Sequence, residues 1–289
     1  MAAAPAPAGP ARPPSRQAVR ATAKLRRGRR QALVAAVSTA VVLGGLAALV
    51  VSSPGWDDVR ETFFSAEAFS ATFPDVLRGF WLDIKLFVLI ELGVLVAGLL
   101  IALARTTRAP ALFPLRLVAT VYTDVFRGVP TILLVYLVGF GIPALALTGV
   151  PTDPLVLGAI ALGLSYSAYV AEVYRAGIDS VHPSQRQAAL ALGLTGNQAL
   201  RHVVLPQAIR RVVPPLLNDF IALQKDVALV SILGPQEAFR VANIYAASQF
   251  NYTPLLAAAV LYLAVTIPLA RVVDRLQRRS ALQTGGARA

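Results

Sequence analysis

No cysteine occurs in the chain, which removes disulfides, thiolate nucleophiles, zinc ribbons and iron–sulfur clusters from its chemistry. Histidine is nearly absent: His182 and His202 are the only two, and they flank one short segment. A multi-histidine metal site is thereby excluded, and a histidine-based triad has little to draw on. Lys24, Lys85 and Lys225 are the only lysines and follow Ala, Ile and Gln, so no Gly-Lys-Ser/Thr phosphate loop exists and any ATP must be handled by another chain. Acidic residues are also few, 15 against 27 Lys and Arg, for a formal charge of +12. The basic residues stand at the ends of apolar runs rather than interleaved with aromatics, which fits membrane orientation better than nucleic acid.

Apolar residues are what the chain has in excess. Of its 289 residues 56% are hydrophobic and 15% charged, with mean hydropathy +0.63. A soluble domain is about half apolar and a quarter charged, so the bilayer is the expected solvent.

Residues 1–30, rich in Ala, Pro and Arg and without an acidic residue, read as a disordered basic cytoplasmic tail. Residues 31–52 form an uncleaved N-terminal membrane helix, since about 20 charge-free residues make about 30 Å of helix and a secretory apolar region is shorter. Residues 53–78 form an external loop holding Asp57, Asp58, Glu61, Glu67 and Asp75. Further apolar runs cover residues 80–104, 128–147, 154–174, 212–233 and 253–273. Clusters such as Arg105, Arg108 and Arg116, or Arg271, Arg275, Arg278 and Arg279, mark their cytoplasmic ends. The fold class is therefore an all-α polytopic membrane protein of about six spans, with both termini cytoplasmic and a flexible C-terminal tail at 280–289.

The cytoplasmic loop at 182–206 is apolar but too short to span. Ser184 with Gln187 fits a capping box that starts a helix, Gly193 suits the left-handed position that ends it, and Thr195 with Gln198 repeats the box. Pro206 is expected to end the second helix. Ala188, Ala189 and Ala191 are small and allow another surface to approach.

The spacing Gln187-Ala188-Ala189, three residues, Gly193, nine residues, Val203, one residue, Leu205-Pro206 closely resembles the Glu-Ala-Ala loop of ATP-binding-cassette importer permeases. The departure is Gln187 in place of the usual Glu, which drops a charge. Tyr122 to Pro130 is similar to the Arg-Gly-x-Pro signature of polar amino acid permeases of the histidine/glutamate/glutamine/arginine type, and so are residues 168–177 and 205–231. The resemblance covers residues 79–279 and implies a five-helix type I importer core carrying the coupling loop, with the N-terminal helix as an addition. It implies a bacterial cytoplasmic-membrane permease without cofactor or catalytic group. Its partners would be a dimer of cytoplasmic ATPases, a second identical or homologous permease, and an external solute-binding protein, with Ser184, Gln187, Ala188, Ala189, Gly193, Leu205 and Pro206 in the ATPase-coupling loop.

Ionisable groups at membrane depth are costly unless paired or hydrated, so each is either structural or functional. Asp83 and Lys85 are expected to snorkel to the outer interface. Glu91 needs an interhelical partner or a water-lined cavity. Pro130 predicts a break beside Arg127. Glu172 either pairs with Arg175 or faces the pathway. Asn218, Ala222, Lys225 and Leu229 share a helical face, so Arg127, Glu172, Asn218, Lys225 and Asp226 are the substrate-pathway candidates. A polar amino acid is the expected cargo: Arg127 and Lys225 favour a glutamate-like one, which is the preferred reading, while Glu91, Glu172, Asp219 and Asp226 favour a basic one. The alternative is an ion-coupled secondary transporter using Glu91, Asp219 and Asp226, which leaves the loop spacing without a purpose.

Overall fold

The computed structural model describes residues 16–107 and 109–285, with side chains described from residue 31 to 277. Every regular element among them is helical. The chain divides into two compact units, Met1–Arg60 and Glu61–Ala289.

The first unit is dominated by α1, Arg16–Val51, whose described side chains are all exposed. Its apolar part, Gln31–Val51, is long and hydrophobic enough to cross a membrane. The expected disordered tail is corrected in part: Arg16–Arg30 continue α1 as helix, because Ala, Gln, Leu and Arg are good helix formers extending an already nucleated helix, while residues 1–15 lie outside the described part. The expected loop at 53–78 is also largely helical. It contains α2, Trp56–Phe63, and the first turns of α3, Ala66–Thr106. Ser65 caps α3 by accepting from the Ala68 amide at 3.2 Å.

In the second unit α3 packs most extensively on α7, Pro154–Asp179, and small residues make this possible. A Cβ at Gly98 would lie 2.6 Å from Val170 Cγ1, and Ala102, Ala168 and Ala171 are fully buried. Within lipid such close approach supplies the packing that hydrophobic burial supplies in water. Leu86, Ile90, Leu162 and Val170 meet Leu223 of α10, Leu205–Asp226, and Val227 and Val230 of the 3₁₀ stretch Val227–Leu233 in one core. A second core joins Val76 and Phe80 of α3 to α11, Ala238–Gln249, and α12, Thr253–Gly285.

Between α3 and α7 the chain folds as α4, Phe113–Gly128, then α5, Thr131–Tyr136, a π turn at Leu137–Gly141 and the short α6, Ile142–Ala144. The break expected at Val129-Pro130 is present: Val129 is extended at ψ 130°, and the helix pair is bent there by 105°. Both arms are pinned to α7, α4 by Tyr122 Oη at 2.7 Å from Ser167 Oγ and α5 by Thr131 Oγ1 at 3.0 Å from Ser165 Oγ. Four helices among the described residues are long and apolar enough to span, five if this bent pair counts as one crossing. The expected fifth span, 212–233, coincides with α10 and the 3₁₀ stretch. Neither is among those helices; Asn218, Asp219, Gln224, Lys225 and Asp226 make this stretch polar. The 280–289 tail is helical as far as Gly285, and residues 286–289 lie outside the described part.

Candidate functional site

Within the 182–206 loop, α8 (Pro183–Ala191) begins two residues earlier than the capping box predicts. His182 is its cap: its Nδ1 accepts from the Ser184 amide at 3.2 Å and lies 2.7 Å from Ser184 Oγ. Pro183 sits at the first helical position, where its missing N–H costs nothing, so the preceding residue becomes the cap and Ser184 falls inside. Gly193 has φ +87°, and its amide donates to Leu190 O at 3.0 Å while Leu194 donates to Ala189 O at 3.1 Å, the paired bonds of a Schellman termination. The second capping box forms as expected, Thr195 and Gln198 exchanging bonds of 2.9 and 3.3 Å at the start of α9, Gly196–Ala199.

Pro206 does not end this helix. A π turn, Leu200–Val204, carries the chain directly into α10, with the Leu205 amide donating to Leu200 O five residues back. The wider turn accommodates Pro206, which lacks the N–H an α-helix requires there. Ser184, Gln187, Ala188, Gly193, Leu205 and Pro206 are exposed, whereas Ala189 is buried and presents no surface to a partner. Leu192 is 85% exposed beside Gly193. Sequence reasoning passed over it, although the residue preceding a left-handed glycine has to project from the helix end. The neck of the loop is tight: Gly177 faces Val212 across α7 and α10, and Arg211 donates to Ser180 O.

Above the neck, Glu172 is the hub of an ion-pair network. Its Oε2 accepts from Arg105 Nη1 at 2.7 Å, its Oε1 from Arg175, and Arg127 Nη1 lies at 3.6 Å. Arg175 also reaches Asp179 at 2.9 Å. The i,i+3 pair with Arg175 was legible in spacing; Arg105 comes from 67 residues away and only the fold supplies it. Asp226 accepts from Tyr166 Oη at 2.8 Å. Asp219 has a buried Oδ2 without a hydrogen-bond partner and interacts electrostatically with buried Glu91 and with Arg127. Asn218 and Lys225 are exposed on the same face of α10, with Ala222 half-buried between them. An apolar groove of about 790 Å³ between α3 and α7 lies beside Tyr122 and away from these charges.

Asp83 does not snorkel. It is 1% exposed, accepting from Tyr262 Oη at 2.7 Å and from the Ala238 amide at 3.4 Å. Glu237, between the last two expected spans, is fully buried as the cap of α11, accepting from the Phe239 and Arg240 amides at 2.7 and 2.6 Å. Burial, with the Asp83 carboxylate beside it, pushes Glu237 up to about 8. Gly79 permits the arrangement: a Cβ there would lie 2.6 Å from the Ala238 backbone nitrogen. Lys85 is exposed, its Nζ 5.9 Å from the centroid of the Trp81 ring.

Apolar helices long enough to span, a bent helix pair and a compact helical loop on a tight neck fit a membrane transport component. The chain belongs to the binding-protein-dependent transport system inner membrane component family, whose profile matches residues 94–281. It is 32% identical over 216 residues to the arginine transport system permease protein ArtQ of Bacillus subtilis, covering 73% of this chain and 96% of that one. To the glutamine transport system permease protein GlnP of Escherichia coli K12 it is 34% identical over 217 residues, covering 75% and 97%. Among solved structures it is similar to an amino acid ABC transporter crystallised with histidines, at TM-score 0.67 and 32% identity over 74% of this chain and 98% of that one. The fold also matches the MetNI methionine ABC transporter in inward-facing form, at TM-score 0.59 and 20% identity, over 74% of this chain and 99% of that one. The chain is thus an amino acid ABC importer permease, a non-catalytic component of transport, and the secondary-transporter alternative is not favoured.

Proposed function

We propose that this permease pairs with a second copy or a homologue to enclose one pathway, and that two cytoplasmic ATPases drive it through the 182–206 loop. An external solute-binding protein delivers the cargo. Movement of the docked loops exchanges inward- and outward-facing states through contacts that differ between them. The observation that carries this reading is the loop itself: a compact, capped helix with Ser184, Gln187 and Ala188 exposed, held on a tight neck between α7 and α10. Both termini lie on the cytoplasmic side, with residues 31–52 as an additional span and 79–279 as the transport core.

The cargo is a polar amino acid whose carboxylate meets exposed Asn218 and Lys225. A glutamate-like preference rested on Arg127 and Lys225, and Arg127 is engaged with Glu172. Glu91, Asp219 and Asp226 favour a side chain that donates hydrogen bonds, of the arginine or glutamine kind for which the relatives are named. Reconstitution with partner ATPase and binding protein, followed by uptake of labelled amino acids with and without ATP, tests both levels. ATP-driven uptake abolished by Gly193→Asp is the expected result. Uptake that needs only an ion gradient would refute the importer mechanism, and displacement of label by glutamate but not by arginine or glutamine would restore the acidic preference.

A further inference from the structure

The neck places two helices in the path of any force on the loop: α7 ends at Asp179 and α10 begins at Leu205. Two turns above the end of α7, Glu172 holds three arginines unequally. Arg105 occupies Oε2 at 2.7 Å and its side chain is 11% exposed. Arg175 occupies Oε1 from the same helix. Arg127 reaches the already occupied Oε2 at 3.6 Å, beyond hydrogen-bond length, and its side chain is 40% exposed. Arg105 is thus the fixed partner and Arg127 the loosely held one.

Arg127 is also tethered at its base. Its carbonyl accepts from Tyr169 Oη at 3.3 Å and its guanidinium lies 5.9 Å from the centroid of that ring, so the head has a pivot on which to turn. In α10 the Asp219 Oδ2 is buried with no hydrogen-bond partner, within the electrostatic reach of Arg127. A buried carboxylate oxygen lacking a donor is a standing penalty, and a guanidinium relieves it with directional bonds. Leaving Glu172 costs little on the α7 side, because Arg105 and Arg175 still satisfy that carboxylate.

We propose that Arg127 is a transferable arm that passes from Glu172 to Asp219 as the docking loop moves, retying the α4–α5 break from α7 to α10. Arg127 is two residues from the extended Val129, so whichever helix holds it sets the orientation of the bent pair. The two positions are discrete and each makes contacts the other lacks, which is what a ligand-driven shift between conformations requires. The inference rests on the 182–206 segment being the ATPase-docking loop.

The test is amino acid transported per ATP hydrolysed, at saturating amino acid, in proteoliposomes holding the permease with its ATPase and binding protein. Arg127→Gln and Asp219→Asn are each expected to lower that ratio at least tenfold. The double variant should fall within twofold of the worse single one, because both remove the same contact. Arg127→Lys should recover to within threefold of wild type. Losses that multiply in the double variant, or a raised KM with an unchanged ratio, overturn the arm. The absence of native cysteine supplies a second measurement that needs no transport. Arg127→Cys combined with Asp219→Cys should be bridged by a bifunctional thiol crosslinker as long as an arginine side chain severalfold faster in the ATP-bound, vanadate-trapped complex than in the nucleotide-free one, and equal rates overturn the proposal. Wild-type uptake indifferent to ATP would bring down the importer mechanism and the arm together, whereas ATP-driven uptake with unaffected variants brings down the arm alone.

Discussion

Replacing Gly193 with alanine isolates the contribution of one backbone conformation to the 182–206 loop. A Cβ at this position meets nothing within 4 Å, so no packing is lost or crowded and the penalty is purely that of a left-handed residue at φ +87°. That penalty is about 1–2 kcal/mol for an L-residue with an ordinary side chain and smaller for asparagine, which visits the region readily. The helix it terminates has only nine residues, too short to be stable alone, so the loss falls on the Schellman bonds from Gly193 and Leu194. The open fraction of the loop end should rise by about 5–30-fold in Gly193→Ala and by far less in Gly193→Asn. Hydrogen exchange at the amides of residues 193 and 194, in the reconstituted complex, measures this directly, and ATP-driven uptake should follow the same order. Indistinguishable exchange in the alanine and asparagine variants would refute the conformational argument, because the two differ chiefly in their tolerance of that region.

Gly79→Ala should lower the melting midpoint of the detergent-solubilised protein by several degrees, because its Cβ meets the Ala238 backbone, an overpacking cost of about 1–3 kcal/mol; Gly93→Ala, with open space around it, should be near neutral in the same melt. Tyr262→Phe removes the closest donor to buried Asp83 and should cost about 1–3 kcal/mol, read as a lower urea midpoint; an unchanged midpoint would mean that another donor replaces it. Glu237 holds its proton in the folded state up to about 8 but in the unfolded chain only to the ordinary glutamate value, so folding stability should fall as pH rises through this interval. Glu237→Gln should flatten that decline, and a melting curve equally steep in the variant would exclude Glu237 as its source. Lys225→Met should reduce amino acid uptake while leaving insertion and complex yield intact, and unchanged uptake would remove Lys225 from the pathway.

Local chemistry explains why so much of the loop was legible and where reading it failed. Gly193, Thr195 and Gln198 act through bonds spanning three to five residues, so spacing alone places them. His182 was missed as the cap because Ser184 and Gln187 also satisfy a capping pattern, and only the position of Pro183 at the helix start decides between them. Pro206 misled because a proline ends a helix unless the preceding turn widens, and the π turn at Leu200–Val204 does so.

Hydrophobicity by itself determined that this chain is a polytopic helical membrane protein, because a bilayer admits few solutions to burying backbone polar groups and those solutions leave long apolar runs, and the resemblance carried by its loop spacing gave the permease family. The tertiary structure decided which ionisable groups meet. Asp83 finds Glu237 and Tyr262, Glu172 finds Arg105 and Arg127, and Asp226 finds Tyr166, across separations of 45 to 179 residues. Charge pairing depends on distances of a few ångströms between helices remote in sequence, and those distances are set by how closely small residues such as Gly79, Gly98 and Gly177 let the helices approach.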